Sequence, residues 1–117
     1  MEEIKVMVKL IGGKPYEECL GRPLVDQVGL VSGYSECLAL VEGIELWLHK
    51  NAEKQSYNFT IYRMDSNCKP YPVVRINGNV YFASRDSAGE ITDLTKKQLQ
   101  KVLQMFYFNE DILLLGR

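Results

Sequence analysis

The chain has a single histidine, His49, so any mechanism that needs an imidazole must use it. Cys19, Cys37 and Cys68 are the thiols that an imidazole would activate. A dyad requires hydrogen-bond contact, and on one continuous helix the step from Cys37 to His49 rises by roughly 18 Å, which keeps that pair apart. Buried structural cysteine is the expectation for all three. Glu45 and His49 stand four residues apart, but a metal site would need further carboxylates at a defined spacing, and these are missing. Asp65-Ser66-Asn67 begins like a calcium loop without the following glycine or the distal bidentate glutamate, so it reads as a turn. Gly12-Gly13-Lys14 lacks phosphate-loop spacing, and Pro15 removes an amide that such a loop would use. No catalytic residue, metal or cofactor is expected.

Tyrosines and cations remain, and strands must place them. Ile4, Val6, Val8 and Leu10 alternate with Lys5, Met7, Lys9 and Ile11, the period-2 signature of a strand. The segment 12–33 is irregular and rich in glycine, with short helical turns expected at Pro15 to Leu20 and Pro23 to Val28. From Tyr34 to Lys50, Cys37, Leu40, Val41, Ile44, Trp47 and Leu48 recur at three- and four-residue spacing and predict an amphipathic helix with Gly43 in its middle. Tyr57 to Met64 reads as a strand. Pro70-Tyr71-Pro72 enters a run, Val73 to Ser84, divided by the hairpin signal Asn77-Gly78-Asn79, with Ile76 expected opposite Val80 and Val74 opposite Phe82. Thr95-Lys96-Lys97-Gln98 fits a capping box and starts a helix whose buried stripe is Leu99, Val102, Leu103 and Phe106. A final strand, Ile112 to Leu115, follows.

This order predicts an α+β two-layer sandwich in which two helices cover one face of an antiparallel sheet: the ferredoxin-like order βαββαβ with an added hairpin strand. At 117 residues, 46% of them apolar, the chain 1–117 is expected to be one domain. If Val6, Val8, Phe59, Ile61, Val74, Ile76, Val80 and Phe82 face the helices, the opposite sheet face collects Lys5, Lys9, Tyr62, Arg75, Tyr81 and Arg85. Tyrosine rings flanked by cations suit contact with a protein partner or small ligand, and also the stacking of unpaired bases. The competing expectation is that segment 12–33 or a second subunit in a homodimer covers that face.

The formal net charge is −1 with both signs interspersed, so net charge selects no partner class. No apolar run approaches the roughly 18 residues that would span a bilayer. Met-Glu-Glu-Ile-Lys is not a signal peptide and the cysteine number is odd, which together suggest the cytoplasm. Asn58-Phe59-Thr60 matches a glycosylation acceptor, but inside a strand it is read as accidental. The functional expectation is a non-enzymatic binding or regulatory domain, an accessory or inhibitor protein, acting through the tyrosine-basic face. Its alternatives are a single-stranded nucleic-acid-binding domain and a small Cys/His-dependent enzyme.

Overall fold

The computed structural model describes residues 3–21, 36–106 and 110–116. The first alternating run forms β1 (Glu3–Lys9), and both of its faces are covered, with Ile4 and Val6 buried on one side and Met7 and Lys9 on the other. Gly12, at φ +75°, turns the chain into β2 (Tyr16–Gly21), which pairs antiparallel with β1. The helical turn expected at Pro15 to Leu20 is therefore a strand. The turn expected at Pro23 to Val28, like the rest of segment 12–33 beyond Gly21, lies outside the described residues.

The helix expected from Tyr34 to Lys50 is a hairpin over its described part. Here β3 (Glu36–Ala39) pairs antiparallel with β4 (Ile44–Leu48). Glu42 and Gly43 both have positive φ, 53° and 78°, and the Ile44 amide donates to the Val41 carbonyl at 2.9 Å. Two consecutive left-handed residues make the tight turn whose twist matches antiparallel strands. Ile44 and Leu46 are buried on one face of β4 and Trp47 on the other. A strand covered on both faces is an apolar run, and its spacing imitates a helical stripe.

A 3₁₀ turn, Ala52–Lys54, leads to β5 (Tyr57–Met64), which pairs antiparallel with β6 (Pro70–Asn77). β7 (Val80–Arg85) does not pair with β6; it lies between β1 and β4. Ile76 and Val80 consequently sit in different sheets, and Asn77-Gly78-Asn79 carries the chain from one sheet to the other. Gly78, at φ +82°, donates its amide to Ser56 O at 2.8 Å, and a Cβ there would collide with Gln55. The short β8 (Ile91–Thr92) pairs with the end of β7. The helix α1 (Lys96–Met105) begins at the expected capping box: Thr95 Oγ1 accepts from the Gln98 amide, and Gln98 Oε1 accepts from the Thr95 amide. Its buried residues are Leu99, Val102 and Met105, whereas Leu103, expected in the stripe, is 50% exposed. β9 (Ile112–Leu115) runs parallel to β5.

The architecture is thus mostly β: a six-stranded sheet in the order β2-β1-β7-β4-β3 with β8 beside β7, a three-stranded sheet β6-β5-β9, and one helix among the described residues. This overturns the two-helix ferredoxin-like α+β sandwich. The main core joins Met7, Ile44, Leu46, Val80 and Phe82 of the large sheet to Phe59, Ile61, Ile76, Leu113 and Leu115 of the small one, with the buried face of α1. Phe106 meets the Phe59 and Phe82 rings edge-on, at centroid distances of 5.0 and 6.0 Å. A second cluster, Ile4, Val6, Trp47, Tyr81 and Ala83, fills the other face of the large sheet.

Candidate functional site

The six residues expected to share one face are dispersed. Lys9 is fully buried and faces the main core, because β1 places Met7 and Lys9 on the core side and Val6 and Val8 on the other. Its Nζ donates to Asn58 Oδ1 at 2.7 Å and to Leu10 O at 3.1 Å, and lies 5.8 and 5.9 Å from the Phe59 and Phe106 ring centroids. Loss of water pushes the Lys9 ammonium below the ordinary lysine range, against the opposing pull of Asp111 and Glu110. Asn58 is equally buried, and its Nδ2 donates to Lys9 O at 3.0 Å and Gly78 O at 2.7 Å. Lys9 and Asn58 together join β1, β5 and the turn between the sheets. Burial also removes Asn58 from use as a glycosylation acceptor.

Tyr81 is buried in the second cluster of the large sheet. Arg85 lies at the end of the same strand, where its guanidinium donates to both Glu45 carboxylate oxygens at 2.9 and 3.0 Å and to Gly89 O at 2.7 Å. The hydrogen bond to Glu45 raises its pKa further. Cys37 lies beside this pair. Desolvation and Glu45 push its thiol up, more than Arg85 draws it down, and so disfavour the thiolate. Glu45 is therefore an arginine partner and not half of a metal pair with His49, whose Nδ1 accepts from the Asn51 amide at 3.1 Å. All three cysteines are free and exposed, where buried ones were expected. Lys5 is exposed, and its backbone is held by Asp93 and Leu94.

Tyr62 and Arg75 are the two expected residues that share a face, in neighbouring rows on the outer side of the small sheet. Arg75, Thr60 and Ile112 form one row across its three strands, and Pro72, Tyr62 and Leu114 form the next. The Arg75 guanidinium stacks on the Tyr57 ring, with Cζ 4.3 Å from the centroid. Tyr57 is fixed in turn, its hydroxyl 2.7 Å from Thr60 Oγ1 and donating to Asp111 O at 3.3 Å. Beside them Tyr62, Met64, Pro70, Ile112 and Leu114 line an apolar depression of about 310 Å³. β6 is exposed at six of its eight positions, with Tyr71 at 44%, Val73 at 49% and Val74 at 37%, so this hairpin shows apolar side chains to solvent. A second depression of about 270 Å³ is lined by Glu42, Lys97, Gln100, Lys101 and Gln104, long polar side chains suited to a solvated helix face.

Sequence parity missed Tyr57, Met64, Pro70, Ile112 and Leu114. The signal for the last two was present in β9, whose four consecutive apolar residues supply both faces of a strand. A family model described as Domain of unknown function (DUF3846) matches residues 4–107. The chain belongs to this family. The DUF3846 match includes Tyr57, Tyr62, Met64, Pro70 and Arg75, while Ile112 and Leu114 lie beyond it. No curated protein and no solved structure matches the chain. Among the described residues no helix is long and apolar enough to cross a membrane.

Proposed function

We propose that this DUF3846 chain is a non-enzymatic binding or regulatory domain, an accessory or inhibitor protein, that engages a protein partner through the outer face of its three-stranded sheet. The observation that carries this reading is the outer face of the small sheet: an apolar depression lined by Tyr62, Met64, Pro70, Ile112 and Leu114 in the rows beside the fixed Arg75–Tyr57 stack, on a hairpin that also exposes Val73. Exposed aromatic and apolar side chains beside an arginine are the composition of an interface core. The chemistry-bearing groups elsewhere support the same reading, since Lys9 is spent on packing, Arg85 on Glu45, and the Cys37 thiol is held protonated. Three free cysteines suit a reducing compartment such as the cytoplasm.

Site-specific photo-crosslinking tests the proposal. Val73→p-benzoylphenylalanine, expressed in the source cells, should give a discrete adduct that the double variant Tyr62→Ala, Arg75→Ala abolishes. The same photoreactive residue at Gln100, on the exposed side of α1, should not give it. Equal adducts at both positions, or one at Gln100 alone, would remove the small sheet from the function.

A further inference from the structure

We infer that the outer face of the small sheet takes an extended acidic segment of the partner protein, seating one large apolar side chain between two carboxylates. This rests on the reading just proposed and adds the partner's chemistry. Residues 57–77 carry three cations, Arg63, Lys69 and Arg75, against one carboxylate, Asp65; by alternation Arg63 shares the Ile61 side of β5, which leaves Arg75 and Lys69 as the cations at the two ends of the outer face. Asp65 is occupied within its own loop, where Oδ1 accepts from the Asn67 and Lys69 amides at 2.8 and 2.9 Å. The outer face therefore has a cation at each end, and these two favour negative charge on what it binds.

Two of the cations bracket the depression. Arg75 occupies the row of Thr60 and Ile112 at one end, and Lys69 directly precedes Pro70, which pairs with Met64 at the other. Thr60 and Met64 are four residues apart on one strand, or about 13 Å. An extended peptide places the first and fifth side chains on one face at that same separation, with the third midway between them. Carboxylates at the first and fifth positions meet the cations, and the third side chain meets Tyr62 and Leu114. Stacking on Tyr57 uses the plane of the Arg75 guanidinium and directs recognition to its N–H edge, which suits a carboxylate. Strand addition along β6 is the less suitable mode, because Pro70 and Pro72 have no amide to donate along its open edge.

Fluorescence anisotropy on the full chain, with a labelled Asp-Ser-Phe-Ser-Glu peptide, tests the inference. Saturable binding is expected, weakened about tenfold or more with Lys-Ser-Phe-Ser-Lys or Asp-Ser-Ser-Ser-Glu, in either case by loss of one recognition element. Arg75→Glu should weaken the first peptide by a similar factor, and Lys97→Glu on α1 should leave it unchanged. Circular dichroism checks both folds, and Lys69→Glu replaces Arg75→Glu if that variant unfolds. Failure to saturate, equal binding of all three peptides, tighter binding of a short oligothymidine, or competition from self-association seen by sedimentation would each overturn the inference. A Val73 photo-adduct without peptide binding removes only the acidic segment; absence of both removes the binding face as well.

Discussion

Asn58 interrupts the ladder between β5 and β6, where the register shifts between Tyr57 and Phe59 and two consecutive side chains, Asn58 and Phe59, turn inward. The amide then serves three partners: the carbonyls of Lys9 and Gly78 and the Lys9 ammonium. Asn58→Ala would leave them buried without it, so a loss of about 3 kcal/mol or more is expected at roughly 1–3 kcal/mol per orphaned group. Urea unfolding measures it, and a loss below about 1 kcal/mol would mean that water replaces the amide. The sequence concealed this arrangement for a physical reason. Alternation assigns Lys9 and Val8 to opposite faces of β1 but does not say which face is core, and the reading built on Val6 and Val8 placed Lys9 and Tyr81 on an open surface. Tyr62 and Arg75 were legible because β5 and β6 each have only one face in the main core.

The turns show how one hydrogen-bond pattern is written in two sequences. In Asp65–Lys69 and again in Asp86–Glu90 the first aspartate accepts from two amides of its loop, and its backbone N–H donates to the carbonyl four residues on. The fourth position is left-handed in both, occupied by Gly89 at φ 84° but by Cys68 at φ 59°. A side chain is strained there and glycine is not, so Cys68→Gly should stabilise the fold by about 0.5–1 kcal/mol, less than the full left-handed cost because glycine loosens the unfolded chain. A lower melting temperature would contradict this. At the scale of elements β1, β5, α1 and β9 were legible, since each carries a signal settled by neighbours in sequence: alternation, a capping box, a short apolar run. The hairpin of β3 and β4 was not, because Gly43 marks a turn only once the strands beside it are known to pair. Asn77-Gly78-Asn79 was recognised as a turn, yet its joining of two sheets depends on long-range pairing.

Across the whole molecule the central strands β1, β7 and β4 of the large sheet bury side chains on both faces, in the main core and in the cluster around Trp47 and Tyr81, whereas the small sheet buries its inner face and carries Tyr62, Arg75 and the depression on its outer one. The division follows from composition. β1, β4 and β7 have apolar or packed residues on both sides, while β5 alternates the core residues Phe59 and Ile61 with Thr60 and Tyr62, and β6 buries Ile76 alone. On the proposed reading, recognition falls to the small sheet and stability chiefly to the large one. The most direct test is amide hydrogen exchange on the full chain, alone and saturated with the protein captured at Val73. Slower exchange confined to residues 60–64, 70–75 and 112–114, with β1 and β7 unchanged, is the predicted result; protection centred on β1, β2 or α1, or none at all, would contradict it.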